Sequence, residues 1–113
     1  MHEVKFSYDS EQDDLFVYSG EKSKGSVELG NFVFDFDKDG RLVAFQILHA
    51  TETLSQLAEK TISSLKDIKE CKIDIVNMRN VYMVKIFLVY GDGQITTSLL
   101  APRVSERSPV LQY

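Results

Sequence analysis

The ten residues from Val81 to Tyr90, VYMVKIFLVY, constrain the fold more than any other part of the sequence. β-Branched and aromatic residues favour a strand, and the run is far too short to cross a bilayer as a helix. Both faces of such a strand are apolar, and only the charge of Lys85 interrupts them. We therefore predict that the strand is either central to a sheet, with the helix on one face, or buried on its other face against a second copy of the chain.

Two β-hairpins are predicted in the first half of the chain. Apolar and polar residues alternate over residues 4–8, and an aromatic and β-branched run follows at 15–18 after a polar turn. Residues 31–36 place three phenylalanines on one face, and the turn sequence DKDG leads into a return strand over 42–48. Each hairpin has one apolar face that needs cover.

A helix is predicted after Ala50, where the apolar spacing changes from two to three and four. The apolar stripe comprises Leu54, Leu57, Ala58, Ile62 and Leu65. Thr53 followed by Gln56 is typical of a capping box, which satisfies free N–H groups of the first turn. Weak helix formers near Ser63 predict a break in the helix there.

The strand period returns at Cys71, and a third hairpin follows with strands over residues 81–90 and 94–100. The predicted fold class is α+β, with six to seven strands in antiparallel hairpins, one main helix packed on the sheet, and the order β-β-β-β-α-β-β-β. We expect a single domain over residues 1–102. The unpatterned residues 103–113 are expected to form a flexible tail.

Composition limits the classes of partner and compartment. The chain carries a formal net charge of −4, which argues against a general affinity for nucleic acid or an anionic membrane. Its single cysteine, Cys71, lies in an apolar-polar alternation and is interpreted as a buried structural thiol. Residues 1–5 contain no apolar signal segment, and the expected location is the cytoplasm. The sequence has neither a Gly-rich phosphate loop nor a Gly-x-Ser-x-Gly elbow, so we expect no cofactor.

The first half also resembles a known family. The residues that carry the resemblance are Tyr8-Asp9, Asp13, Leu15, Val17, Val33, the block 35–43 and Ile47-Leu48. This pattern is similar to domain of unknown function 2283 over roughly residues 4–52, a double-hairpin module, and leaves residues 53–102 as an extension of one helix and antiparallel strands. The resemblance implies a small β-rich domain without an assigned activity. The chain departs from the family pattern at Gln46 and His49, where similar sequences carry acidic residues, which counts against a shared metal or acid-base role.

The acidic turn of the second hairpin is a candidate cation site. Asp35, Asp37 and Asp39, followed by glycine, match the first, third and fifth ligands of a Ca²⁺ loop. The twelfth position, which should supply a bidentate Glu, is Gln46, and the flanking residues alternate with the period of strands. We therefore prefer a hairpin turn, with a divalent-cation binding module as the alternative.

A second alternative is a hydrolase of unknown substrate that uses Asp13, Asp35 or His49. The acidic cluster around the first turn comprises Asp9, Glu11, Asp13 and Asp14. Nothing in the sequence indicates the burial that would raise the pKa of one of these carboxyl groups into a useful range. We prefer a solvated acidic turn for the cluster and a hydrogen-bonding role at a strand end for His49.

The leading hypothesis is a small, non-catalytic interaction module that acts through protein–protein contacts, with itself as a homodimer or with a protein partner. Residues 1–40 contain ten acids against four bases, whereas the rest of the chain has a small positive balance. Opposite halves of two copies could therefore attract each other. The interface is predicted on the strand face that carries Lys85, Phe87 and Val89, because an unpaired ammonium is costly in a core and tolerated at an interface.

Overall fold

The structure, a computed structural model, describes residues 1–104, which form nine strands and one helix. The elements are β1 (His2–Glu3), β2 (Lys5–Asp9), β3 (Asp14–Tyr18), β4 (Gly25–Leu29), β5 (Phe32–Phe36), β6 (Leu42–Ile47), α1 (Ala50–Ala58), β7 (Ile68–Asn77), β8 (Val81–Tyr90) and β9 (Gly93–Pro102). All strand pairs are antiparallel.

The strands form two sheets. The first sheet has five strands in the order β2-β3-β6-β5-β4, and the second has four in the order β1-β7-β8-β9. In the first sheet the two hairpins are joined through β3 and β6, where Val17 lies opposite Phe45. The chain starts in the second sheet and crosses to the first at Val4, whose N–H donates to the carbonyl of Cys71 at 3.2 Å. It returns to the second sheet after α1.

The inner faces of the two sheets share one apolar cluster. The first sheet contributes Leu15, Val17, Phe34, Phe36, Phe45 and Ile47, and the second contributes Cys71, Ile73, Val84, Ile86, Leu88, Ile95 and Leu99. Helix α1 contacts β9 and adds the fully buried Ala50 and Leu54 to the same cluster. Because each sheet hides its apolar face against the other, neither has a separate core.

The predicted α+β class, with antiparallel hairpins and one helix followed by three strands, is confirmed. The run Val81–Tyr90 forms β8, which lies between β7 and β9 as a central strand. Its inner face is buried in the shared cluster, so the first sheet covers it together with α1.

The strand count exceeds the predicted six to seven because two strands lack a clear apolar pattern. β4 contains Gly25 and Glu28 and ends before Gly30, so its sequence reads as a polar connection. It forms because its backbone pairs with all five residues of β5. β1 is only two residues long and pairs with Lys72 and Ile73 of β7, far away in the chain.

Helix α1 is shorter than the apolar stripe predicts. It ends at Ala58, after which Glu59 takes a left-handed conformation with φ 51°. Ile62 and Leu65 are buried although they lie beyond the helix, because the Ser55 hydroxyl accepts the N–H of Ile62 and turns the chain back onto the core. The apolar residues of the helix and those of the buried extended segment after it therefore have similar spacings, so the sequence pattern does not distinguish the two.

The predicted capping box is wrong. Thr53 lies inside α1 and its hydroxyl donates to the carbonyl of Leu48 at 3.0 Å. The N-cap residue is His49, which has φ 50° and makes no side-chain capping hydrogen bond. The groups that do cap α1 come from the first hairpin and are described below.

The expected tail begins with two residues that the structure describes. The Arg103 guanidinium donates to the carbonyl of Met78 at 2.9 Å and lies over the ring of Tyr82, and Val104 packs against the core cluster. The remaining residues of the predicted tail lie outside the described part of the chain. Between residues 1 and 104, no helix has the length and apolar character needed to cross a membrane.

The path of the chain after α1 can be tested by replacing a leucine with alanine at two positions and comparing the losses of stability. We expect Leu65→Ala to lower the free energy of unfolding by about 2–5 kcal/mol, because Leu65 is fully buried and its removal leaves a cavity. Leu57→Ala is the matched control. Leu57 is 38% exposed on α1, so its loss should cost less than about 1 kcal/mol. Urea unfolding measures both, and equal losses would contradict the described path of the chain.

Candidate functional site

Asp13 joins the first hairpin to the start of α1. It lies between β2 and β3 with φ 56°, a conformation that aspartate tolerates better than most residues. Its carboxylate accepts the Thr51 N–H at 3.1 Å and the Thr51 hydroxyl at 2.8 Å, while its carbonyl accepts the Ala50 N–H at 2.7 Å. Negative charge is favourable at a helix N-terminus. Asp13 therefore caps α1 in place of the side chain of His49.

The Tyr8 hydroxyl donates to the same carboxylate at 2.5 Å. Burial raises the pKa of Tyr8, and the hydrogen bond to Asp13 raises it further, so the phenol remains a donor. With Tyr8 and Thr51 on its oxygens, the carboxylate of Asp13 is the acceptor of a structural network. This arrangement gives no support to a role for Asp13 as a free base.

The structure does not assemble the three residues of the hydrolase hypothesis. Asp13 and His49 lie at the same end of the first sheet, yet His49 is exposed and makes no hydrogen bond to a carboxylate within residues 1–104. Asp35 lies opposite Ala44, further along the sheet, and accepts a hydrogen bond from the Ser26 hydroxyl. Asp13, Asp35 and His49 therefore do not place a nucleophile within hydrogen-bond reach of a general base.

The carboxylates of the candidate cation turn have separate hydrogen-bond partners. Asp37 accepts the N–H groups of Asp39 and Arg41, both at 2.9 Å. Asp39 accepts the Arg41 guanidinium at 2.8 Å, a hydrogen bond that raises the pKa of Arg41 together with the charge of Asp37. Asp35 is held by Ser26. In the described part of the chain, no group of three His, Cys, Asp or Glu side chains is placed to hold a metal ion.

The outer face of the second sheet, which we call the open face, points away from the shared cluster. Its members are Glu3 on β1, Glu70, Lys72, Asp74 and Val76 on β7, Val81, Met83, Lys85, Phe87 and Val89 on β8, and Gln94, Thr96, Ser98 and Leu100 on β9. The β7 and β8 members are half-buried, whereas the β9 members are exposed, with Leu100 at 60%. A nearly continuous apolar row on the central strand is unusual for a sheet face in contact with water.

Lys85, Phe87 and Val89 lie together on the open face, and their role as an interface stays a prediction. Lys85 lies between Asp74 of β7 and Ser98 of β9. Among residues 1–104, no carboxylate forms an ion pair with Lys85. The ammonium is therefore available to an acid outside this chain.

Sequence reasoning missed that β7 supplies charges to this face. Lys72 donates to Glu70, with 2.9 Å between its Nζ and Oε1, and this hydrogen bond raises the pKa of Lys72. Asp74 lies two residues further along the same side of the strand. The signal was the alternation around Cys71, which places its even-numbered neighbours on the side opposite the buried thiol.

The edge of β9 that has no strand partner within residues 1–104 adjoins the open face, and the Lys60 ammonium donates to the Gln94 carbonyl there at 3.0 Å. Within the described residues β9 pairs only with β8, over ten residue pairs without a register shift. The strand contains no charged residue, whereas the edge strands of the first sheet are half as long and contain Lys5, Asp9 and Glu28. Charge, short length and bulges normally protect a sheet edge from pairing with another chain. β9 lacks all three.

Cys71 lies on the inner face of the same sheet. The side chain is 2% exposed, and burial raises the pKa of its thiol to about 12. Near neutral pH the reactive thiolate is therefore negligible in the folded chain. Both observations agree with a structural thiol.

Comparison with known proteins finds a family match for the segment that forms the first sheet. Residues 5–50 match the model of the family described as "Protein of unknown function (DUF2283)". The resemblance is confirmed over this segment. It begins with β2 and stops where α1 begins, so the match coincides with the five strands of the first sheet. The open face and the edge of β9 belong to the extension.

Two curated relatives match part of the chain. An uncharacterized protein of Methanocaldococcus jannaschii is 44% identical over 50 residues, which cover 43% of this chain and 43% of that protein. A Methanosarcina mazei protein named "Putative hypoxanthine phosphoribosyltransferase" is 31% identical over 73 residues, which cover 64% of this chain and 58% of that protein. The chain thus spans about half the length of the curated relatives it matches. No solved structure matches it.

The cap on α1 can be tested by comparing neighbouring aspartates. We expect Asp13→Ala to lower the free energy of unfolding by about 2 kcal/mol, because it removes the cap and leaves the Tyr8 hydroxyl and Thr51 N–H without their acceptor. Asp14→Ala is the control, since Asp14 has no side-chain hydrogen bond or ion pair within residues 1–104, and its loss should cost at most about 0.5 kcal/mol. Chemical unfolding followed by circular dichroism separates the two. Equal effects would show that Asp13 acts only as part of a solvated turn.

Proposed function

We propose that this chain is a non-catalytic interaction module that forms a homodimer through the open face of its second sheet. The observation that carries the proposal is the position of Lys85 on an apolar row beside β9, an edge strand without charged residues, with no ion-pair partner for Lys85 in the described chain. Such a surface favours association, because burying the row removes apolar area from water and gives the ammonium an acid to meet.

A second copy suits this surface better than an acidic or a basic partner. The open face carries three acids, Glu3, Glu70 and Asp74, and two bases, Lys72 and Lys85, so its net charge is only −1. The whole chain has a net charge of −4, so two copies repel each other over most of their surfaces. They approach at the least electrostatic cost where the local charge is close to zero and each charged side chain can meet an opposite charge across a twofold axis.

The dimensions of the sheet set the expected strength. Three strands about 4.8 Å apart and ten residues long at about 3.4 Å per residue present on the order of 500 Å² per copy. A standard stable interface buries about 800 Å² per partner. We therefore expect a reversible dimer whose population rises with protein concentration.

The setting we propose is the cytoplasm, where a single buried thiol such as Cys71 needs no oxidising environment. The name of the Methanosarcina mazei relative describes that protein, and no residue cluster within residues 1–104 gives a reason to extend its activity to this chain. Interaction through the open face is the function that a specific observation supports, namely the unpaired Lys85 on an apolar row.

The proposal is tested by reversing charge on the open face in two variants. Asp74→Lys makes the face net positive, and Lys85→Asp makes it net negative. We expect each variant alone to associate less than the wild type, because like charges then face each other across the interface. We expect an equimolar mixture of the two to recover association as a heterodimer. Sedimentation equilibrium over a range of concentrations measures the masses.

Two controls separate association from folding. Each variant should keep the thermal unfolding midpoint of the wild-type monomer within a few degrees, because both positions are half-buried on the sheet surface. Phe16→Glu, on the outer face of the first sheet, should leave the mass unchanged, whereas Phe87→Glu should lower it. A wild-type chain that stays monomeric at every concentration, or a mixture that associates no better than its components, would refute the proposal.

A further inference from the structure

The two sheets separate at one side of the molecule and leave a cleft of about 880 Å³. β3 and β6 of the first sheet form one wall, and β1 and β7 of the second form the other. The residues that line the cleft include none from α1 or β9, which lie together at another side of the core. Small-molecule sites in proteins typically occupy about 300–1,000 Å³, so this volume falls within their range.

The floor of the cleft is apolar. It is formed by Val4, Val17, Val43, Phe45, Ile73 and Ile75. Val4 and Ile75 are half-buried, so part of this floor is open to solvent. An occupant with an apolar body would remove that surface from water.

The rim of the cleft is formed by the 19–24 loop and the turn after β5, and only some of its charged side chains form ion pairs. Four cations and three carboxylates line it: Lys22, Lys24, Lys38, Arg41, Glu21, Asp37 and Asp39. Arg41 holds Asp37 and Asp39, whose remaining contacts are to N–H groups of their own turn. Lys22 and Lys38 form no ion pair within residues 1–104. Glu21 has no ion pair there either, so the rim carries a net charge of +1, and two unpaired ammonium groups lie beside an apolar floor.

The turn that carries Lys38 and Arg41 is fixed in place over the cleft. The Tyr82 hydroxyl donates to the carbonyl of Gly40 at 3.1 Å, and this bond joins β8 of the second sheet to the turn of the first. Gly40 is buried and has φ 81°, a conformation that glycine adopts without strain. A rim held by the opposite sheet keeps its charges in position before any ligand arrives, which lowers the cost of binding.

We propose that this cleft binds a medium-chain fatty acid, with the apolar chain on the floor and the carboxylate between Lys22 and Lys38. The apolar floor selects an aliphatic body, and the two ammonium groups select a negative head group. The site uses the inner walls of the two sheets, whereas the dimer proposed above uses the opposite face of the second sheet. The two proposals can therefore fail independently.

The test is a titration of the full chain with decanoate, followed by the methyl resonances of valine, isoleucine and leucine. We expect saturable shifts at Val4 and Ile75 and none at Leu100 on the open face. Decylamine, which has the same chain and the opposite charge, should bind at least about tenfold more weakly, as should decanol. Shifts confined to the open face, or equal binding of decanoate and decylamine, would overturn the proposal.

A pair of charge reversals assigns the head-group site. Lys22→Glu combined with Lys38→Glu should weaken decanoate binding by about tenfold or more, since both exposed cations that attract the carboxylate become repulsive. The control combines Lys66→Glu with Arg79→Glu, which changes the net charge equally at residues that do not line the cleft. The control should bind decanoate like the wild type. Equal weakening in both double variants would mean that only the overall charge matters, and the assigned site would be wrong.

Discussion

The packing of the two inner sheet faces against each other is the constraint on which the rest of the structure depends. The side chains of Leu15, Phe34 and Phe45 in the first sheet are at most 1% exposed, and those of Val84 and Ile86 in the second are fully buried. A five-stranded sheet with such a face cannot remain in water without cover. In this chain the extension provides that cover, so the segment that matches the family and the segment that does not share a single core.

Two polar contacts fix how the halves meet. At one end, Asp13 binds the first turn of α1, from which the chain passes to the second sheet. At another point, the Tyr82 hydroxyl holds the turn at Gly40. The cleft lies beside the second contact, where residues of the turn around Gly40 line it. The second sheet therefore has two distinct faces: its inner face covers the first sheet, and its outer face carries an apolar row and nearly balanced charges, which is where we propose that a second copy binds.

Much of the local structure could be predicted from sequence, because hairpins depend on neighbours in the chain. The alternation at Phe32, Phe34 and Phe36 and the run Val81–Tyr90 each mark a strand without further information. Non-local features could not be predicted. The division into two sheets depends on β3 pairing with β6 and β1 with β7, and the cap on α1 depends on Asp13, 38 residues before Thr51. Leu65 shows a further limit, since burial in an extended segment and burial on a helix select the same residue type.

The central claim is that the second sheet buries one face within the chain and presents the other to a second copy. Oxidative cross-linking of Phe87→Cys tests it most directly, because the native Cys71 is buried, with a pKa raised to about 12, and should stay silent. Phe16→Cys on the outer face of the first sheet provides the reference. The account predicts a covalent dimer from Phe87→Cys and almost none from Phe16→Cys or the wild type. Equal cross-linking from both variants, or none from Phe87→Cys, would contradict it.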